Sequence, residues 1–190
     1  MPYHNFGYAN PEDIKSIIVY LRSLPPKENR VPESSADFPM NILLNTIPQK
    51  AKPLPVPPAG DSLAKGYYLS TLASCYDCHT PFEKGKYDKN FSFAGGRSFP
   101  VLGGKATSVN ITPDNETGLG QWTREMFIQR FTGYRDSAMA NRAVKPGEYQ
   151  SIMPWTMYAM MTDADLSSIY TYLRKIKPIK HLTAKFQASH

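Results

Sequence analysis

The chain is poor in cysteine: among 190 residues there are two, Cys75 and Cys78. That excludes a disulfide-dense scaffold. No uninterrupted apolar run approaches the ~18 residues that a membrane span requires. The lysines and arginines are scattered, with no basic tract, so a nucleic-acid partner is not expected despite a formal charge of +6. No strand precedes a G-x-G-x-x-G pattern, so the glycines at 95, 96, 103, 104, 118 and 120 mark tight turns and not a phosphate loop. No signal peptide opens at Met1, because Pro2, His4, Asn5 and Asn10 interrupt any apolar stretch.

What is present is concentrated in one run, Cys75-Tyr76-Asp77-Cys78-His79. Two thiols at C-x-x-C spacing lie one helical turn apart, the separation that bonds the two vinyl groups of one haem. The adjacent histidine is then placed as the proximal iron ligand. A dithiol redox pair is expected near a βαβ pattern, which is missing here. A structural zinc site needs four ligands, and this run supplies three at most. Covalent haem is the reading that uses every residue of the motif. The other histidines, His4, His181 and His190, lie near the ends and read as solvated.

An internal repeat organises the remainder. Residues 1–26 align without gaps to residues 153–178 at a constant offset of 152, with identities at Met1/Met153, Pro2/Pro154, Asp13/Asp165, Ser16/Ser168, Ile17/Ile169, Tyr20/Tyr172, Leu21/Leu173, Arg22/Arg174 and Pro26/Pro178. Each copy predicts a Met-Pro turn, a short loop and an amphipathic helix. In the second, Thr162 is the N-cap, and Leu166, Ile169, Tyr170 and Leu173 form the apolar stripe. In the first, Asn10 caps, Pro11 takes the first helical position, and Ile14, Ile17, Ile18 and Leu21 repeat the stripe. A helix docked on neighbouring protein is therefore expected over about 11–24. The expected organisation is a C-terminal tail of a preceding haem domain at 1–26, with no haem site of its own, then a Pro-rich connector at 27–60. A monohaem domain follows at 61–180, and a tail at 181–190. Thioether haem is normally attached outside the bacterial inner membrane, so the chain reads as a fragment of a longer exported protein.

The connector carries Pro48, Pro53, Pro55, Pro57 and Pro58, which predict an extended spacer. Residues 40–47 are either one or two helical turns or an apolar loop. From Asp61 a capped helix is expected through about Ser74. Gly66 is costly in its interior, so it is either a close-contact point for the C-terminal helix or simply flexible. A second helix is expected over 123–132. As sixth iron ligand Met153 fits best, since it precedes Pro154 and leads into the repeated helix. Met157, Met160 and Met161 are expected as soft packing. Phe91, Phe93, Phe99, Ile111, Leu119, Phe127 and Phe131 are candidate haem wall. Arg97 and Trp122 are candidate propionate donors, with a solvated arginine and a plain core tryptophan as the alternatives. Pro113 is a candidate carbonyl acceptor for the ring N–H of His79.

The order C-x-x-C-H, Met-Pro, then D-L-x-x-I-x-x-Y-L resembles a class I cytochrome c domain. Ala94-Gly95-Gly96-Arg97, Asn110-Ile111-Thr112-Pro113-Asp114 and Thr117-Gly118-Leu119-Gly120-Gln121-Trp122 are similar to the multihaem cytochrome c subunits of bacterial membrane-bound alcohol, aldehyde and gluconate dehydrogenases. The resemblance covers about residues 61–178. It implies an all-α cytochrome c fold around one haem c, and electron transfer from a donor dehydrogenase or upstream haem domain toward a quinone- or oxidase-linked acceptor. It implies no catalysis by the chain itself, and a periplasmic setting or the outer face of the inner membrane. The alternatives are a haem sensor with a displaceable sixth ligand and a haem enzyme, both of which need an open iron site.

Overall fold

The computed structural model describes residues 3–47, 49–145 and 147–188. Met1, Pro2, Pro48 and His190 lie outside them. The chain divides into two compact units, Met1–Val56 and Pro57–His190.

The first unit begins with α1 (Tyr3–Phe6) and α2 (Pro11–Ser23), followed by α3 (Met40–Leu43) and a 3-10 turn at Leu44–Thr46. Asn10 caps α2 by accepting from the Glu12 N–H at 2.9 Å, and Pro11 opens it without losing a hydrogen bond. Gly7 and Tyr8 accept backbone hydrogen bonds from Lys52 and Leu54, so the extended proline-rich segment lies along the start of the chain. The expected helix at 11–24 is present, but none of its residues is buried. Of the two readings of residues 40–47, helical turns or an apolar loop, the structure has the turns, and their apolar side chains are exposed.

The second unit has more helix than strand, but much of it is loop, and it carries short strands that the all-α expectation omitted. In order come α4 (Ser62–Leu72), α5 (Cys75–Cys78), β1 (Phe82–Glu83), β2 (Lys86–Tyr87), β3 (Ser98–Val101), β4 (Gly104–Thr107), α6 (Arg124–Thr132), α7 (Ser137–Ala140), α8 (Trp155–Tyr158), α9 (Asp163–Leu173) and β5 (Phe186–Ala188). β1 and β2 make a hairpin, and β3-β4-β5 make a small antiparallel sheet. The third strand pairs Ala106 with Phe186 and arrives from far along the chain.

The frame of this unit is the crossing of α4 and α9, its most extensive helix pairing. Asp61 caps α4 by accepting from the Ala64 N–H. Thr162 caps α9 by accepting from the Asp165 N–H, and its hydroxyl donates to Asp165 Oδ2. The predicted stripe of α9 buries Leu166, Ile169 and Leu173 beside Leu119, Phe127 and Phe131. Each such side chain contributes about 1.5–3 kcal/mol by leaving water. Lys65 on α4 pairs with Asp165 on α9 at 2.6 Å. α9 also fastens the loop before α6: the Tyr170 hydroxyl donates to the Trp122 carbonyl at 2.7 Å, and Arg174 donates to the carbonyls of Leu119 and Gly120.

Candidate functional site

The C-x-x-C-H run forms one short helix. Ser74, with a left-handed φ of 57°, turns the chain sharply out of α4, and the His79 N–H donates to the Cys75 carbonyl at 2.9 Å. Both cysteines are free thiols. Burial, helped by the neighbouring Cys78, pushes the Cys75 thiol up to about 12. Burial also raises Cys78, against the pull of the nearby Arg97 guanidinium. His79 is buried, and desolvation holds its pKa below the ordinary value, so the ring is neutral and suited to bind a metal.

The ring of His79 is oriented by the Val109 carbonyl, 2.7 Å from Nδ1. Sequence reasoning assigned this role to Pro113. The actual acceptor lies four residues earlier, just before Asn110, whose side chain ties this segment to Thr117 and Ile179. With Nδ1 committed, Nε2 is the nitrogen left for a ligand.

Cys75, Cys78 and His79 open on a cavity of about 540 Å³. Its apolar lining includes Ile111, Leu119, Trp122, Phe127, Phe131 and Met153. The Asn110–Trp122 segment is held by its polar residues. Asn110 is buried and donates to Thr117 Oγ1 and the Ile179 carbonyl, while its own side-chain oxygen accepts from the Thr112 N–H and hydroxyl. Asp114 accepts from the Thr117 hydroxyl and N–H, which hold its carboxyl below the usual range. These bonds deliver the Val109 carbonyl, Ile111 and Leu119 to the cavity.

The sequence-predicted wall divides. Phe99, Ile111, Leu119, Phe127 and Phe131 line the cavity. Phe91 instead packs on His181, with ring centroids 4.7 Å apart, and Phe93 packs on Tyr76 and Tyr172. Met161 lines the cavity, whereas Met157 and Met160 are exposed and do not pack as expected. Trp122 contributes to the lining. Arg97 is absent from it. Its Nη1 donates 2.6 Å to the Asp77 carbonyl, and its guanidinium lies 5.0 Å over Phe82 and 5.3 Å over Phe99. His181 is half-buried and bonded to the Ala94 carbonyl at 3.0 Å, contrary to the solvated reading.

Sequence reasoning missed two cations of the lining, Arg130 and Lys185. Arg130 had a signal: it follows Phe127 by three residues on α6 and therefore shares its face. Lys185 had none, since it returns with the chain that forms β5. Tyr158 also lines the cavity. Its hydroxyl donates 2.6 Å to the Ala73 carbonyl, and burial pushes its pKa up to about 12.

Two thiols, a neutral buried imidazole with one nitrogen committed, a thioether and an apolar chamber fit a covalently held haem. A zinc tetrahedron is not matched: among the described residues no three His, Cys, Asp or Glu side chains converge as a metal site.

No protein-family model matches the chain. It is 31% identical over 144 residues to the fructose dehydrogenase cytochrome subunit of Gluconobacter japonicus, covering 75% of this chain and 27% of that protein. It is 31% identical over 126 residues to the cytochrome c subunit of the quinone alcohol dehydrogenase of Gluconacetobacter polyoxogenes, covering 64% and 24%. It is 28% identical over 186 residues to a diheme cytochrome c-type protein of Cereibacter sphaeroides, covering 94% and 59%. The chain thus spans about a quarter of the two dehydrogenase subunits.

Proposed function

We propose that this chain, a homologue of cytochrome c subunits of bacterial dehydrogenases, transfers electrons through one haem c held by thioethers to Cys75 and Cys78, with His79 and Met153 as axial ligands. The observation that carries the reading is the cavity of about 540 Å³ that brings all four residues into one lining. When bound, the haem supplies the one-electron couple. The chain's residues set its environment: Val109 orients His79, a thioether favours the reduced iron, and Leu119, Phe127, Phe131, Leu166 and Ile169 exclude water. Arg130 and Lys185 are the cations available to the haem carboxylates, and Ile111 and Trp122 belong to the wall. A sensor or peroxidase reading needs an open sixth position, which a bound Met153 would fill.

The relatives' names point to a dehydrogenase as electron source, and thioether-held haem, normally attached outside the bacterial inner membrane, supports a periplasmic setting for this chain. Among the described residues no helix is long and apolar enough to cross a membrane. Residues 1–26 read as the closing segment of another such domain. In support, α1 and α8, and the caps Asn10 and Thr162, fall at the same offset of 152. The α9 residues that grip α4, namely Asp165, Ser168, Ile169, Tyr172 and Leu173, recur in α2 as Asp13, Ser16, Ile17, Tyr20 and Leu21.

The testing experiment is an absorption spectrum of haem-loaded protein, oxidised and reduced, extended to the near infrared. A weak sulfur-to-iron band in the oxidised form that vanishes in Met153→Ala is the expected result. A high-spin oxidised iron without that band overturns the ligand assignment.

A further inference from the structure

The loop Ala94–Arg97 touches the attachment turn at two consecutive-but-one carbonyls. The Gly95 N–H donates to the His79 carbonyl at 2.7 Å, and Arg97 Nη1 donates to the Asp77 carbonyl at 2.6 Å. The same Gly95 backs onto the group that orients the histidine ring. A Cβ there would lie 2.5 Å from the Val109 carbonyl carbon and 2.7 Å from its oxygen, the oxygen that faces His79 Nδ1. Its φ of 76° is also one that only glycine adopts freely. Arg97 is itself held by the rings of Phe82, Tyr87 and Phe99 at 5.0–6.0 Å. The β1–β2 hairpin sets Phe82 opposite Tyr87, and Ser108 Oγ accepts from the Arg97 N–H.

We propose that Gly95 and Arg97 are positioning residues that tune the axial histidine, gripping His79 from its backbone while Gly95 leaves room for the Val109 carbonyl at its ring. The inference rests on the haem reading above. A carbonyl that accepts from Nδ1 makes the imidazole a stronger donor and stabilises oxidised iron. Displacing that carbonyl, or loosening the turn, therefore raises the reduction potential.

The test uses haem-loaded protein and three variants: Gly95→Ala, Arg97→Lys and Gly96→Ala. Gly96 has a similarly unusual φ of 94°, but a Cβ there meets the side chains of His181 and Pro81 and not the Val109 carbonyl, so it controls for backbone strain and local crowding. Arg97→Lys keeps the charge and loses the planar group that stacks on the rings and reaches Asp77. The readouts are reduction potential by spectroelectrochemistry and exchange of the His79 Nδ1 proton by nuclear magnetic resonance. Gly95→Ala and Arg97→Lys are expected to speed that exchange about tenfold. They are also expected to raise the potential by up to about 59 mV, a tenfold change for one electron. Gly96→Ala should lower Tm alone.

Wild-type potential and exchange in both Gly95→Ala and Arg97→Lys overturn the proposal, as does an equal shift in Gly96→Ala. If Gly95→Ala yields no loaded protein, Arg97→Lys decides: a wild-type potential there means that the arginine acts by charge and the proposal falls. Absence of a haem c spectrum from the wild-type protein would instead refute the functional reading beneath it.

Discussion

Gly66 on α4 lies against the Ser168 carbonyl of α9 so closely that a Cβ would overlap its oxygen and stand 2.7 Å from its carbon. The two backbones cross with no side chain between them, and Tyr172 Cβ closes the other side at 2.8 Å from the same point. The contact lets the two helices bring the thiol-bearing turn and the apolar stripe of α9 to one cavity.

Gly66→Ala is expected to destabilise the haem-loaded protein by about 3 kcal/mol, because the helices must part and the packed stripe must shift. Urea unfolding measures this. An unchanged midpoint would mean that α9 slides at little cost.

Asn110→Ala removes four side-chain hydrogen bonds, those to Thr117 Oγ1 and the Ile179 carbonyl and those from the Thr112 N–H and hydroxyl, and leaves the Thr112 N–H without its partner. The expected loss is about 4 kcal/mol, at roughly 1 kcal/mol for each bond. Thermal unfolding followed at the haem band checks it.

How much of this was legible beforehand depends on whether side chains or backbone make the contact. The caps Asn10 and Thr162 and the stripe of α9 follow from side-chain chemistry at helical spacing, and Gly66 marks its close approach by carrying no side chain inside a helix; the structure has each of them. The acceptor for His79 is a backbone carbonyl, which every residue carries, so nothing in the residue type of Val109 marks it. The partners of Arg97 were not legible because a guanidinium serves a carboxylate and a carbonyl equally well, and its contact with the Asp77 carbonyl depends on where the chain places the Phe82–Tyr87 hairpin. The strands were missed because β3 and β4 have four residues each, too few for an alternation to register, and their third partner begins at Phe186.

The two copies of the repeat predict a contrast. Ile169→Lys or Leu173→Lys places a charge among residues that are 4% and 2% exposed, and should prevent stable folding of the second unit. Ile17→Lys and Leu21→Lys, at positions 46% and 58% exposed, should change its stability by less than about 0.5 kcal/mol. Parallel thermal melts of the four variants distinguish the helices.

Met153→Ala should lower the reduction potential and admit carbon monoxide to the ferrous iron, since a thioether both favours reduced iron and blocks its sixth position. A ferrous spectrum indifferent to carbon monoxide in this variant would assign the ligand elsewhere.

Asp165 gives a pH dependence. Burial alone would raise its pKa, but hydrogen bonds from Lys65 and Thr162 outweigh it and hold the carboxyl below the usual value. Its folded pKa is therefore below its unfolded one, so its contribution is present above about pH 4 and is lost as pH falls through the folded value. Asp165→Asn should be about 1 kcal/mol less stable at neutral pH, with the difference closing in acid. Urea titrations at pH 7 and pH 3 measure the gap.

The Tyr158 hydroxyl bonds to the Ala73 carbonyl across 85 residues of sequence, and α4 meets α9 across a similar span. Contacts so distant along the chain form late, after the intervening loop entropy has been lost. The C-x-x-C-H turn precedes Tyr158 and α9 by most of the second unit, so the thiols stay open to haem until those late contacts form. The last helix to arrive is the one that shuts the chamber, which makes α9 a latch on maturation as well as a wall.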